Sequence, residues 1–172
     1  LLSLAVIILM LLGAIGYGAL RLNGAGGATV ADVRLRLVQP ALDQREKWQP
    51  GAAESIMERY LSLSDSGDAP LGSDTAPTIL IWPESAFPFL LTQRPDALAA
   101  IAGLLPEGAR LITGAARGEM PIGPGARPIL FNSIYVIDDD GEIIDAYDKV
   151  HLVPFGEYLP FEDALNTLGL KP

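Results

Sequence analysis

The chain opens with twenty residues that carry no charge, LLSLAVIILMLLGAIGYGAL. A helix rises about 1.5 Å per residue, so this stretch would extend about 30 Å, the thickness of the hydrocarbon core of a bilayer. A secretory signal peptide is the alternative, but no basic region precedes the apolar run and the run is longer than the usual core of such peptides. The sequence therefore predicts a transmembrane helix over residues 1–20.

The apolar run is followed by a connector and then by the bulk of the chain. Residues 21–32 are rich in Gly and Ala and have no periodic apolar face, which is typical of a linker. Residues 33–172 are long enough for one domain with a core of its own. The whole chain has a net charge of −9 and a pI near 4.4, which argues against a nucleic-acid partner.

Strand and helix patterns alternate after the linker. The strands are predicted in VRLRLVQP, TILIW, ARLITGAARG, PILFNSIYVID and EIIDAYDK, and the helices in PGAAESIMERYLSL and RPDALAAIAGLLPEG. TILIW lacks polar alternation, which predicts a strand covered on both faces. An Asp-Gly turn should join the last two strands as a hairpin. The order β-α-β-α-β-β-β predicts an α/β domain, a sheet covered by helices.

Two charged side chains are placed where α/β sheets collect functional groups, at the carboxyl ends of strands. Glu84 follows TILIW by two residues, and Lys149 follows EIIDAY, whereas Asn132 lies inside the preceding strand. A carboxylate on a rigid turn in apolar surroundings suits a general base, and a nearby lysine suits an oxyanion-stabilising cation. A solvated loop glutamate and a surface lysine are the alternatives on position alone.

The sequence offers little evidence for other kinds of catalytic or metal-binding site. The chain contains no cysteine, which removes disulfides, thiolate metal sites and a cysteine nucleophile from the residues given. His151 is the single histidine, and a lone histidine is more often a structural hydrogen-bonding group than a base or a metal ligand. No serine has the surround of a nucleophile elbow, and no glycine-rich loop has the phosphate-binding pattern. The sequence predicts neither a metal site nor a cofactor.

The combined motifs VQP…KW, IWPESA, TGAAR, FNSIYVID and YDKVHLVPFGEYLPFE, in this order over residues 33 to about 170, resemble the carbon–nitrogen hydrolase (nitrilase) superfamily, specifically the apolipoprotein N-acyltransferases. The resemblance implies part of a nitrilase-like α-β-β-α sandwich carried on membrane helices, so that residues 33–172 would be the N-terminal part of the hydrolase-like domain. It also implies a bacterial inner-membrane protein with this domain on the periplasmic side.

The resemblance further implies an acyl transfer in two steps. A cysteine takes an acyl chain from a membrane phospholipid as a thioester and passes it to the N-terminal amine of a diacylglyceryl-modified lipoprotein. Carried over by motif, Glu84 would be the general base, Lys149 would stabilise the oxyanion and Glu157 would support both. The substrate-binding residues implied are Trp48, Asn132, Phe155 and Tyr158.

One departure from the family pattern limits the activity expected of these residues. The family's nucleophilic cysteine follows the VPFGEY motif, and no cysteine occurs here. We therefore expect residues 1–172 to be a piece of a longer enzyme and to be inactive alone. Two rivals stay open: a membrane-tethered nitrilase-like amidase that releases acyl groups to water, and a non-catalytic scaffold domain.

Overall fold

A computed structural model describes two separate units of the chain, residues 1–32 and residues 33–172. The described residues are 2–24, 26–27, 29–66, 71, 73, 78–120, 128–154, 157–158 and 160.

The first unit is one long apolar helix, α1, which spans Leu2–Asn23. Its 22 residues correspond to about 33 Å at the rise of an α-helix, and none of them is buried. By length and composition this helix could cross a membrane. It continues three residues past the predicted end at residue 20, and Arg21 lies in the last turn, where a cation complements the helix dipole.

The second unit contains five strands and three α-helices within its described residues. In chain order they are β1 (Leu35–Leu37), α2 (Gln44–Lys47), α3 (Ala52–Asp65), β2 (Ile79–Trp82), α4 (Pro95–Leu104), β3 (Arg110–Glu119), β4 (Ile129–Ile137) and β5 (Ile143–Asp148), with a short 3-10 helix at Leu91–Gln93. The predicted order of long elements is confirmed. The short α2 and the 3-10 helix were not predicted.

The five strands form one sheet in chain order, β1-β2-β3-β4-β5. The pairs β1/β2 and β2/β3 are parallel, whereas β3/β4 and β4/β5 are antiparallel. The carboxyl ends of β2, β3 and β5 therefore lie at the same edge of the sheet as the start of β4. This topology brings the residues that follow β2 and β5 close to the first residues of β4.

One face of the sheet packs against helices. The buried side of α3 consists of Ile56, Met57, Tyr60 and Ser64, spaced as one helical stripe. The Tyr60 ring stacks on the Trp82 ring with centroids 4.7 Å apart, and the Trp82 indole donates a 2.9 Å hydrogen bond to the Ser64 hydroxyl. Each buried aromatic ring contributes a large apolar area, so this contact fixes the end of β2 against α3.

The opposite face of the sheet is apolar and open within the described residues. It carries side chains that alternate with the buried ones, including the exposed Leu35, Leu37, Ile134 and Tyr147. In β2, Leu80 and Trp82 are buried, whereas Ile79 and Ile81 are only half-buried. The predicted cover of β2 on both faces is therefore seen on one face only, because among the described residues helices pack against one side of the sheet.

The predicted α/β class, preceded in the sequence by one apolar helix, is confirmed, and the described residues form one sheet with helices on one face. The predicted hairpin between β4 and β5 is also confirmed. Its turn has Gly141 at φ 79°, in the left-handed region that favours glycine, and the Gly141 amide donates to the Asp138 carbonyl at 3.0 Å. A Cβ at this glycine would lie 2.7 Å from the Leu98 carbonyl oxygen, so the turn also packs closely on α4.

Candidate active site

Glu84 lies on a tight turn that begins directly after β2 and leans on β3. The Gly114 amide donates to the Pro83 carbonyl at 3.2 Å, and the Ala86 amide donates to the Gly114 carbonyl at 2.7 Å. Ser85 has φ 49°, a left-handed conformation that is uncommon for a residue with a side chain. Backbone hydrogen bonds on both sides of Glu84 therefore fix a turn that would not be favoured by itself.

Gly114 permits the close approach of this turn to β3. A Cβ at position 114 would lie 2.6 Å from the Cα atom of Glu84, 2.8 Å from the Ser85 nitrogen and 2.9 Å from the Pro83 oxygen. All three contacts are to backbone, which cannot rotate away as a side chain would. Any side chain at this position would have to displace the segment that carries Glu84.

Asn132 joins the two charged residues of the site. It lies in β4, opposite Ala116 of β3, and its side-chain amide donates a hydrogen bond to Glu84 Oε1. Its backbone carbonyl accepts a 2.8 Å hydrogen bond from the Lys149 amide. Asn132 therefore orients the Glu84 carboxylate and fixes the backbone from which the Lys149 side chain extends.

Lys149 brings its ammonium between two carboxylates. Its Nζ lies 2.7 Å from Glu157 Oε1 and 3.7 Å from Glu84 Oε1. The hydrogen bond to Glu157 is the main cause that raises the pKa of Lys149, and the charge of Glu84 adds to it. Lys149 therefore stays protonated at neutral pH, as a cation that stabilises an oxyanion must.

Glu157 is held in place by the loop that precedes it. The Val153 amide donates to Glu157 Oε2 at 2.9 Å, and the Glu157 amide donates back to the Val153 carbonyl at 2.9 Å. The Lys149 hydrogen bond, followed by the Val153 amide, lowers the pKa of Glu157. One oxygen of an ionised Glu157 thus binds the lysine while the other is fixed by backbone.

A cavity of about 350 Å³ opens beside these groups. Its polar end carries Glu84, Asn132 and Lys149, whereas its walls are mainly apolar. The apolar side chains that line it are Ile81, Trp82, Ile112, Ile134 and Tyr147. Such a cavity suits a mainly apolar molecule with a polar group beside Glu84, Asn132 and Lys149.

The end of β5 is fixed by an ion pair that sequence reasoning missed. Arg117 of β3 donates to both carboxylate oxygens of Asp148, at 2.9 and 2.6 Å, and the Ser133 hydroxyl donates to the same carboxylate at 2.6 Å. The Arg117 guanidinium also lies 4.4 Å from the centre of the Phe131 ring. Because Asp148 immediately precedes Lys149, this pair fixes the strand end from which the lysine extends.

The Asp148 pair predicts a dependence of stability on pH. The hydrogen bond from Arg117, then that from Ser133, lowers the pKa of Asp148 to about 2. A carboxylate with a depressed pKa stabilises the fold above its unfolded pKa of about 3.9 and loses that contribution as the pH falls toward the folded value. In the full-length protein, Asp148→Asn should therefore lower the Tm at pH 7, and the gap to wild type should close between pH 4 and 2.

Thermal unfolding at a series of pH values measures this gap. Asp145→Asn is the matched control, because Asp145 is exposed on the same strand. It should leave the Tm within error of wild type at each pH. A gap for Asp148→Asn that is as large at pH 2 as at pH 7 would mean that the charge of Asp148 contributes nothing.

Two other expected site residues, Trp48 and Tyr158, lie outside the lining of the cavity. Trp48 follows α2 and is 66% exposed, and Tyr158 is 47% exposed; neither lines the cavity. Phe155 lies outside the described residues. The structure thus brings together Glu84, Asn132, Lys149 and Glu157, and the cavity itself is lined by the first three of them.

No protein-family model matches the chain. An apolipoprotein N-acyltransferase from Bradyrhizobium diazoefficiens is 49% identical over 158 residues, which cover 90% of this chain and 29% of that protein. Its counterpart from Sinorhizobium fredii is 47% identical over 170 residues, covering 98% of this chain and 32% of that protein. The chain therefore spans about a third of the length of the curated relatives that it matches.

Two solved structures are also similar. An amidase from Nesterenkonia sp. has a TM-score of 0.40 and 18% identity, covering 80% of this chain and 52% of the amidase. A carbon-nitrogen hydrolase from Helicobacter pylori has a TM-score of 0.42 and 18% identity, covering 73% of this chain and 42% of the hydrolase.

Proposed function

We propose that this chain, which belongs to the apolipoprotein N-acyltransferases over the third of their length that it matches, supplies the base and the oxyanion-stabilising cation for an acyl transfer. The reaction would move an acyl chain from a phospholipid to the N-terminal amine of a diacylglyceryl-modified lipoprotein. The observation that carries the proposal is the 3.7 Å separation of Lys149 Nζ and Glu84 Oε1 at the polar end of an apolar cavity.

The first step forms a thioester. A cysteine thiol from outside residues 1–172 gives its proton to Glu84 and attacks the ester carbonyl of the phospholipid, and the carbonyl oxygen becomes an oxyanion beside the Lys149 ammonium. Collapse of this intermediate breaks the ester bond. The lysophospholipid alkoxide leaves with the proton from Glu84, and the acyl group stays on sulfur.

The second step forms an amide. The free amine of the acceptor attacks the thioester carbonyl, Glu84 accepts the amine proton, and Lys149 again lies next to the oxyanion. Collapse expels the cysteine thiolate, which takes up the proton to restore the resting enzyme. Glu157 keeps the Lys149 ammonium charged and aimed through both steps, while Asn132 orients the Glu84 carboxylate.

The surroundings of the site support a lipid substrate. The apolar walls of the cavity would take the start of an acyl chain. Substrate-binding roles for Phe155 and Tyr158 rest on the family motif alone. Trp48 would contact substrate from the segment that precedes α3. The apolar helix α1 would anchor the domain in a bacterial inner membrane, with residues 33–172 on the periplasmic side.

The test uses the purified full-length protein in detergent, phosphatidylethanolamine with a labelled acyl chain, and a diacylglyceryl-modified lipopeptide with a free N-terminal amine. We expect a labelled thioester on the enzyme, cleaved by neutral hydroxylamine, and then transfer of the label to the peptide amine. Peptide mapping should place the thioester outside residues 1–172. Release of the label as free fatty acid, with the peptide unmodified, would contradict an acyltransferase and favour an amidase-like hydrolase.

A further inference from the structure

Lys47 is a charged side chain in an unusual place. It ends α2, a helix of only four residues, and is 4% exposed although lysine is seldom buried. Burial lowers the pKa of this lysine. Its neighbours in the chain differ sharply, because the Arg45 side chain is 91% exposed and Trp48 is 66% exposed. The burial of Lys47 is therefore a property of this position and not of the whole segment.

The polar contact of the Lys47 ammonium is to the turn that carries Glu84. The ammonium donates a hydrogen bond to the Ser85 carbonyl, across 38 residues of sequence. Among the described residues no carboxylate lies within 4.0 Å of it. The ammonium also lies 5.5 Å from the centre of the Trp48 ring. Since a buried ammonium without partners is costly, the bond to the Ser85 carbonyl ties Lys47 to the turn.

The carbonyl that Lys47 binds belongs to the residue with the least favourable backbone of the turn. Ser85 has φ 49°, and such conformations persist only where their surroundings fix them. Gly114 binds the turn through backbone hydrogen bonds to Pro83 and Ala86 on the side of β3. Lys47 adds a contact from α2, outside the sheet, so that two separate elements, β3 and α2, bind the segment.

We propose that Lys47 is a positioning residue for the general base: its ammonium, through the Ser85 carbonyl, holds the turn at the orientation that directs Glu84 toward Lys149. This inference rests on the proposed acyl transfer and adds a residue to it. Lys47 lies outside the lining of the cavity beside Glu84. Its effect on the reaction should therefore depend on Glu84, and a variant without the Glu84 carboxylate tests this dependence.

The experiment compares Lys47→Met, Lys47→Arg and wild type in the full-length enzyme. Methionine keeps the length and apolar stem of lysine without the donor, whereas arginine keeps a donor. We expect Lys47→Met to slow acyl-enzyme formation from labelled phosphatidylethanolamine by about tenfold or more, since small misplacements of a catalytic group are costly. The KM for the phospholipid should stay within about twofold of wild type, and Lys47→Arg should recover part of the rate. Arg45→Met, on the exposed side of the same helix, is the matched control and should match wild type.

A double-mutant cycle separates positioning from a general structural role. If Lys47 acts through Glu84, then Lys47→Met should change the residual rate of a Glu84→Gln enzyme by less than about twofold.

Hydrogen exchange gives a readout that does not depend on activity. Lys47→Met should speed exchange of the Ala86 amide, which donates to the Gly114 carbonyl, and leave the amides of α4 unchanged. An equal rate loss in both backgrounds, a wild-type rate for Lys47→Met, or an unchanged Ala86 amide would each overturn the inference. A wild-type enzyme that forms no acyl-enzyme would instead contradict the proposed function, and the exchange measurement would still decide the role of Lys47.

Discussion

Replacing Lys149 with methionine in the full-length enzyme should slow acyl-enzyme formation by about 10²–10³-fold, the usual effect of removing one oxyanion-stabilising donor. The ammonium lies 3.7 Å from Glu84 and 2.7 Å from Glu157, so its removal leaves these two carboxylates without their cation, next to the proposed position of the reacting carbonyl. Their negative charge would then oppose the oxyanion. The measurement is the single-turnover rate of thioester formation with labelled phosphatidylethanolamine.

Two control variants sharpen the result for Lys149. Lys149→Arg keeps the charge but cannot place one compact ammonium between two carboxylates, so it should recover only a small part of the rate. His151→Asn changes the exposed histidine of the same loop and should keep nearly the full rate, because a lone exposed histidine is not expected to be the base. A Lys149→Met enzyme with a rate within tenfold of wild type would remove the lysine from the mechanism.

Replacing Gly114 with alanine should be the second most damaging change. The added Cβ would lie 2.6 Å from the Cα atom of Glu84, and relief requires the turn to move away from β3. Overpacking of this kind costs about 1–3 kcal/mol of stability. A shift of about 1 Å in a catalytic group can cost about 10²-fold in rate. The rate of acyl-enzyme formation should therefore fall by more than the loss of folded protein, measured from the change in Tm, can explain.

Gly103 provides the matched control for Gly114. It lies in α4, and an added Cβ there meets no atom within 4 Å. Gly103→Ala should keep the wild-type rate and raise the free energy of unfolding by up to about 1 kcal/mol, since alanine favours helix. A Gly114→Ala enzyme that is as stable and as active as Gly103→Ala would show that the turn tolerates displacement.

The sequence alone predicted the long helices and strands and the two charged residues of the candidate site, Glu84 and Lys149. TILIW and EIIDAY are strong strand patterns, and Glu84 and Lys149 each lie two residues beyond the end of one of them. Because β2 and β5 end at the same edge of the sheet, local pattern and the rule for strand ends together were enough to bring these side chains near each other. The motif resemblance predicted Glu157 as a further site residue, and the structure brings its carboxylate into contact with Lys149.

The remaining contacts depend on register and on long-range packing that sequence patterns do not specify. The Arg117–Asp148 pair requires the alignment of β3, β4 and β5, which no motif fixed. Lys47 belongs to a helix of four residues, too short for an apolar period, and its partner is 38 residues away. The apolar pattern of TILIW predicted cover on both faces of β2, yet Ile81 is only half-buried. An apolar pattern indicates a strand that can be buried, but it does not specify which element packs on each face.

The central claim is that Glu84 and Lys149 act on one bound carbonyl in a shared cleft. An experimental structure of the full-length enzyme, trapped with the acyl group on its nucleophile, measures this directly. The account predicts the thioester carbonyl oxygen within about 3 Å of Lys149 Nζ, with the Glu84 carboxylate facing the same acyl carbon. An acyl carbonyl bound elsewhere, or Glu84 and Lys149 on separate surfaces, would contradict it.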